Sequence, residues 1–180
     1  MERPDFDWDD TDTFATGTVG PVGRRVFFIQ ARRAGDVVSL KMEKQQIAGL
    51  AEFLERLLDD LPPATHPSQA VAEVRTGEAP DLEAPDLEAP DFEAPDEPDW
   101  VVGSLGVTYH QSTDRLVLIV EEFLRDEDRT PAQARFPLRR EQVASFVVQA
   151  RALVAAGRPP CAWCGAPLEA DADGWCPCAN

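Results

Sequence analysis

The chain has 180 residues, of which 43% are hydrophobic, and a formal net charge of −16 at pH 7. Its acid is concentrated in two segments: residues 1–12 carry −5 and residues 76–99 carry −10, so the remainder carries only −1. The length suits one or two small domains with an apolar core. The surplus acid is expected on solvated, extended segments outside the folded part.

The charge pattern disfavours two classes of partner. Nucleic-acid affinity comes mainly from basic residues that neutralise phosphates, and this sequence has no basic stripe with interleaved aromatic residues. No apolar run approaches the roughly 20 residues that span a bilayer, and the acidic N-terminus is the reverse of a signal peptide. We therefore expect a cytoplasmic protein with no membrane partner, in which thiols stay reduced.

The first half of the chain predicts three strands followed by a helix. Thr13–Val19, Arg24–Arg33 and Val37–Met42 have the β-branched and aromatic content of strands. Over about Glu43–Asp60, apolar residues recur at the spacing of one helical face. They are Ile47, Leu50, Ala51, Leu54, Leu57, Leu58 and Leu61. The two prolines that follow end this helix.

The second half predicts the same order of elements. Trp100–Tyr109, Arg115–Leu124 and Ala132–Leu138 predict strands, and a helix follows over about Arg139–Ala156. The apolar face of that helix comprises Val143, Phe146, Val147, Ala150, Leu153 and Val154. Gly157 suits the end of a helix.

The two halves match at an offset of 96 residues. Any two amphipathic helices share an apolar stripe, so the polar matches at the start of each helix are more informative: Lys44 matches Arg140 and Gln46 matches Gln142. We infer an α+β fold of duplicated β-β-β-α units, with antiparallel sheet and two helices. A pseudo-two-fold arrangement of the units would be expected to place a groove between them.

A tandem repeat separates the halves. Residues 78–96 repeat the five-residue unit Glu-Ala-Pro-Asp-Leu, with Phe92 in place of the third leucine. One proline in five residues forbids a regular helix and favours extended chain. We predict a disordered linker, although Leu82, Leu87 and Phe92 could also act as a weak multivalent ligand.

All four cysteines of the chain fall in its last twenty residues: Cys161, Cys164, Cys176 and Cys178. Cys-x2-Cys-Gly forms a knuckle that points two thiolates at one ion, and a second cysteine pair completes a tetrahedral set. In a reducing compartment this pattern favours a structural zinc ion over a redox dithiol or disulfides. We expect Trp163 and Trp175 to supply the knuckle's small hydrophobic content.

The fourth ligand is less certain than the first three, because Cys176 and Cys178 are separated by a single residue. Such a pair is a tighter and less usual chelate than Cys-x2-Cys. Asp171, Asp173, His66 or water could take the place of Cys178.

No pattern of a known catalytic site occurs in the sequence. His66 and His110 are expected at the surface, and Glu121 and Glu122 should face opposite sides of a strand. Arg24, Arg25, Arg32 and Arg33 flank one strand and could contact an anionic ligand, although a charged rim of the strand is the favoured interpretation.

Two stretches resemble a known family. The first is Phe14–Ala31, and the second is Ala155–Leu168 with the later Cys176-Pro177 and Asn180. They resemble a family of uncharacterised actinobacterial proteins that is defined only as a domain of unknown function. The end of that family's pattern reads Gly-His-x-Cys-Pro-Arg, which implies that Cys178 replaces a histidine ligand. The resemblance implies no reaction.

The sequence therefore predicts a zinc-binding cytoplasmic protein and favours an interaction module for a protein partner over an enzyme. The alternative is an enzyme or small anionic-ligand binder that uses a groove between the repeats. Five regions are predicted: an acidic flexible N-terminus at 1–12, a first β-β-β-α unit at 13–61, a disordered insert at 62–99, a second unit at 100–157 and a zinc knuckle at 158–180.

Overall fold

The computed structural model describes residues 5–62, 91–125, 129–157, 161, 163, 164 and 178. These form seven strands and two helices. In chain order they are β1 (Phe6–Asp7), β2 (Thr13–Val19), β3 (Val26–Arg33), β4 (Asp36–Met42), α1 (Lys44–Asp60), β5 (Trp100–His110), β6 (Arg115–Glu122), β7 (Gln133–Leu138) and α2 (Arg140–Ala155). The predicted strands and helices are all present, with bounds that differ by up to two residues, and β1 is an addition. Neither helix is long and apolar enough to cross a membrane.

All seven strands belong to one mixed sheet in the order β1-β7-β6-β5-β4-β3-β2. The strands within β2–β4 and within β5–β7 pair antiparallel. β4 and β5 join the two sets in parallel, with Leu40 opposite Trp100. The last strand of one set therefore adjoins the first strand of the next. The common origin of the two units and their pseudo-two-fold arrangement stay predictions.

The sheet curls strongly. Strands about 4.8 Å apart would put the edges of a flat seven-stranded sheet roughly 29 Å apart. The chain between β1 and β2, which lie at opposite edges, comprises only five residues and reaches at most about 21 Å. The rings of Phe14 on β2 and Phe136 on β7 lie 6.4 Å apart, centroid to centroid. Curling brings both edges to one core.

The core lies between the inner face of this sheet and the two helices. Alternate residues of the strands point inward, among them Ile29, Leu40, Leu118 and Phe136, each no more than 1% exposed. The helices contribute the predicted apolar faces: Ile47, Leu50, Ala51 and Leu54 are buried on α1, and Val143, Phe146, Val147, Ala150 and Leu153 on α2. The remaining predicted positions, Leu57, Leu58, Leu61 and Val154, pack partly buried against the same cluster.

The glutamine shared by the two helix starts has the same structural role in both. The backbone N–H of Glu43 donates to Oε1 of Gln46, and that of Arg139 donates to Oε1 of Gln142. The amide group of Gln46 also donates to Val102 O in β5. That of Gln142 donates to the carbonyl oxygens of residues 11 and 12, which follow β1. Each glutamine thus accepts a hydrogen bond from the backbone N–H at the start of its helix and anchors that start to another segment of the chain.

The prediction of a flexible N-terminus is wrong for residues 5–12. β1 pairs in parallel with β7, and the ring of Trp8 packs edge-on against Phe136 at a centroid distance of 5.2 Å. Thr11 is fully buried. The acids pair with arginines of the sheet and of the α2 start: Asp7 with Arg135, Asp9 with Arg33 and Asp10 with Arg115 and Arg139. The acidic composition led us to predict a flexible segment and to miss this strand, although aromatic and acidic residues alternate along it with a period of two.

The disordered-insert prediction is also wrong for residues 91–99. The Phe92 ring lies against Phe28, with centroids 6.3 Å apart, and Glu93 bonds to Gln30. Asp99 Oδ2 accepts from the backbone N–H of Ser39 at 2.8 Å. Residues 63–90, which include most of the tandem repeat, lie outside the described residues.

A polar network fastens the β5–β6 hairpin to the start of α2. Asp114 has the left-handed φ of 51° in the hairpin turn. Its Oδ1 accepts from Arg140 and from the Tyr109 hydroxyl, each at 2.7 Å. The hydrogen bond from Arg140 is the main reason that the pKa of Asp114 lies below its ordinary value.

Replacing Asp114 by asparagine should lower stability by about 1–2 kcal/mol at pH 7, because charge-assisted bonds at a half-exposed site are lost. Asparagine tolerates the same left-handed backbone. Because the folded-state pKa of Asp114 is depressed, its stabilisation is present above the unfolded value near 3.9 and is lost as pH falls through the folded value. Urea unfolding should therefore show the difference from wild type at pH 7 and little difference at pH 2–3.

Asp36→Asn is the matched control, because Asp36 is an exposed acid at the start of β4. Its effect should stay within about 0.5 kcal/mol. A deficit for the Asp114 variant that is equally large at both pH values would contradict a charge-based role.

Candidate metal site

The described cysteines of the C-terminal segment converge. The sulfur atoms of Cys161, Cys164 and Cys178 all lie within 4.8 Å of one another. Those of Cys161 and Cys178 are 3.5 Å apart. Cys161 is buried at 6% exposure, whereas the other two are exposed. Three potential ligands from both ends of a short segment therefore meet at one point.

These separations fit a metal ion better than a disulfide. Four sulfurs held about 2.3 Å from a tetrahedral zinc ion lie roughly 3.8 Å from each other. The 3.5 Å between Cys161 and Cys178 is close to that value, whereas a disulfide requires about 2.05 Å. None of the three is in a disulfide. Three close cysteines could hold a metal ion here.

A backbone group supports the first sulfur. The N–H of Trp163 donates to Sγ of Cys161 at 3.5 Å, a bond that the turn between Cys161 and Cys164 makes possible. An N–H directed at sulfur favours the thiolate, which is the form that binds metal. The sulfur atoms of Cys161 and Cys164 thus lie close together, as the Cys-x2-Cys spacing led us to expect.

Trp163 itself does not behave as predicted. Its side chain is 86% exposed, so it does not supply hydrophobic content to the knuckle. Its backbone is held at the cysteine turn while the indole faces solvent. This places a large aromatic side chain at the surface, next to the candidate metal ligands.

Several residues of the predicted site lie outside the described residues. They are the predicted ligand Cys176 and the alternative ligands Asp171, Asp173 and His66. Trp175, which was expected to pack beside the ligands, also lies outside. The full set of four thiolates therefore stays a prediction. Cys178, the least certain of the four by spacing, is one of the three cysteines that the structure brings together.

The four arginines that flank β3 do not form one site. Arg24 and Arg25 precede the strand and Arg32 and Arg33 end it, so they are separated by roughly 23 Å of extended chain. Arg32 pairs with Glu93 and Arg33 with Asp9, while Arg25 donates to Ala156 O. An anion would have to displace these partners.

The expected groove between the units is small. A cavity of about 180 Å³ lies between α1 and α2 and is lined largely by alanines. A larger open cavity of about 680 Å³ is formed by β1, β6, β7 and the β5–β6 hairpin, away from the junction of the units. It is lined by both charges, including Asp7, Asp10, Arg115, Arg135 and the surface residue His110. No motif in the sequence pointed to this cavity, because its lining comes from three separate segments of the chain.

Glu121 and Glu122 face opposite sides of β6, as predicted. The side chain of Glu122 is 6% exposed and pairs with Arg129 at 2.6 Å. Glu121 is directed toward Ser104 and Gln133. The two carboxylates cannot act as an acid–base pair on one substrate.

Comparison with known proteins identifies a family that matches the chain. The family model described as "Protein of unknown function (DUF3090)" matches residues 6–176. The matched range includes Cys161, Cys164 and Cys176 and ends two residues before Cys178. Neither a curated protein nor a solved structure matches the chain.

Proposed function

We propose that this chain, which belongs to the DUF3090 family of proteins of unknown function, is a cytoplasmic zinc-binding protein whose C-terminal knuckle docks a protein partner without catalysing a reaction. The observation that carries the proposal is the convergence of Cys161, Cys164 and Cys178 within 4.8 Å. Thiolate-rich sites of this kind select zinc among the common divalent ions, and a reducing compartment keeps the thiols available.

The donor chemistry favours a structural over a catalytic ion. Catalytic zinc sites keep one position for water or substrate, whereas four protein ligands close the coordination sphere. With Cys176 as the fourth ligand, the site would have no open position. The zinc would then fix the shape of the knuckle and leave its surface for recognition.

Trp163 is the part of that surface best suited to a partner. Tryptophan is strongly enriched among residues that dominate binding energy at protein interfaces. Here the indole is 86% exposed while the backbone of the same residue bonds to a cysteine sulfur. A metal-fixed turn would present this side chain in one orientation, which lowers the entropic cost of docking.

The test is an affinity capture from native lysate with three proteins: wild type, Trp163→Ala and Cys161→Ser. Wild type should retain a partner in near-stoichiometric amount. The Trp163 variant should keep its zinc and retain less than about a tenth of that partner, as expected for a residue worth 1.4 kcal/mol or more. The Cys161 variant should lose both. Equal capture by wild type and the Trp163 variant would overturn the assigned role of the indole.

A second candidate function is small-ligand binding in the 680 Å³ cavity. Arg115 lies 3.8 Å and Arg139 3.7 Å from Asp10, distances too long for hydrogen bonds. An anionic group could therefore replace Asp10 as the partner of Arg115, whose guanidinium also donates to Thr113 O at 3.3 Å. A metabolite screen should then give a saturable thermal shift that Arg115→Ala abolishes. The same shift in that variant would exclude this cavity.

A further inference from the structure

The outer face of β2 and β3 holds residues 91–93 in a defined site. The Phe92 ring lies directly over Gly17, where an added Cβ would come within 2.2 Å of the ring. The ring also lies near that of Phe28, which pairs with Gly17 across the two strands and is 5% exposed. Glu93 continues from the ring to Gln30 and Arg32. We call Gly17, Phe28, Gln30 and Arg32 the β2–β3 site.

Gln30 forms two hydrogen bonds with the backbone of the segment that occupies the site. Its Nε2 donates to Glu93 O at 2.9 Å and its Oε1 accepts from Glu93 N at 3.0 Å. The same amide is held by Ser39 and by Arg32, so its orientation is fixed from within the sheet. A paired donor and acceptor of this kind selects an extended peptide without regard to the residue that supplies the backbone.

The other contacts select side chains. Gly17 lies within β2 and lacks the positive φ of the turn glycines, so the backbone does not require glycine there. A glycine inside a strand weakens it and often marks a close approach, and here the approaching group is the Phe92 ring. Arg32 pairs with the carboxylate of Glu93 at 2.9 Å. The β2–β3 site therefore fits an apolar residue followed by glutamate.

The chain carries this pattern three times. Asp81-Leu82-Glu83 and Asp86-Leu87-Glu88 precede Asp91-Phe92-Glu93 at five-residue intervals. All three are tethered to the same domain. Short flexible tethers give effective concentrations in the millimolar range, which exceeds the concentration that a second copy of the chain would offer.

We propose that the β2–β3 site is a recognition site for the tandem repeat itself, with Asp91-Phe92-Glu93 as its resident occupant and Asp86-Leu87-Glu88 as the triplet that replaces it by a five-residue slip. The repeat is then a set of ligands for one site. The phenylalanine gives the third triplet its advantage, because its ring fills the space over Gly17 more completely than leucine.

Amide exchange measured by NMR on the full chain tests this proposal. In wild type, the Glu93 amide should exchange roughly ten-fold more slowly than in a free peptide, because Gln30 accepts its proton. In the double variant Phe92→Ala/Glu93→Lys, the protection should move to the Glu88 amide by a similar factor. Adding Gln30→Ala to the double variant should remove protection from both, because the side chain that accepts the amide proton is then absent. Glu97→Lys, an exposed acid of the same segment, is the control and should leave the wild-type pattern unchanged.

Three results would overturn the proposal. One is a Glu88 amide that stays unprotected in the folded double variant. Another is protection that appears only as protein concentration rises, because the occupant would then come from a second copy. If the double variant fails to fold, wild type with several millimolar of the peptide Glu-Ala-Pro-Asp-Phe-Glu-Ala-Pro-Asp serves as the second measurement. The peptide should accelerate Glu93 exchange several-fold by displacement, and unchanged exchange would count against the site.

Discussion

Replacing Cys161 by serine should abolish the proposed zinc binding, from an expected one ion per chain to none. Cys161 is the buried member of the cluster and lies 3.5 Å from the sulfur of Cys178, so its loss removes a ligand and the packing around it. Apparent binding free energies of structural zinc sites are about 10–16 kcal/mol at pH 7. Loss of one thiolate should weaken binding by more than the 10- to 100-fold that follows loss of an outer-shell partner.

Native mass spectrometry and competition with a chromophoric chelator measure both quantities. Cys164→Ser should match the Cys161 variant, since both cysteines lie in the same knuckle. Cys176→Ser and Cys178→Ser decide the fourth ligand. Wild-type affinity in the Cys178 variant would assign that position to Asp171, Asp173, His66 or water. Native protein without metal and with two disulfides would contradict the zinc site as a whole.

Deleting residues 1–12 should destabilise the domain by roughly 3–5 kcal/mol, the range for loss of a large aromatic group from a core. The deletion removes the ring contact between Trp8 and Phe136 and the pairing of β1 with β7. It also removes the carbonyls of residues 11 and 12 that accept from Gln142 and Arg139. Those donors lie at the start of α2, so the helix terminus loses its anchor as well.

Deletion of residues 78–90 is the matched control, because it removes five acids where the first deletion removes six. If the acidic residues of these segments acted only by repelling the other negative charges of a chain of net charge −16, both deletions would stabilise the fold slightly. Urea unfolding should instead show a large loss for the N-terminal deletion and a change within about 0.5 kcal/mol for the control. Equal effects of the two deletions would contradict a docked N-terminus.

Local pattern predicted most of the fold. The helical stripes and the alternating strands depend on neighbouring residues only, and Ile47, Leu50, Val143 and Phe146 occupy the core positions that the 3.6-residue period predicted. The same holds for the cysteines, because a Cys-x2-Cys turn imposes its geometry within four residues.

The acidic segments show where composition was insufficient. A run of like charge predicts solvated chain when it has no partner. Here the partners are arginines on β3, β6, β7 and at the start of α2, more than 20 residues away in sequence. The alternation of aromatic and acidic residues along Phe6–Asp9 was the one local signal, and four residues give a weak period.

By itself, then, the sequence determined the order of the elements, their core faces and the convergence of Cys161, Cys164 and Cys178, because each depends on spacing along the chain. Tertiary structure alone decided four features: the parallel pairing of β4 with β5, the curl of the sheet, the docking of Phe92 over Gly17 and the exposure of Trp163. These rest on contacts between distant segments, and the strength of such contacts depends on which surfaces the fold brings together.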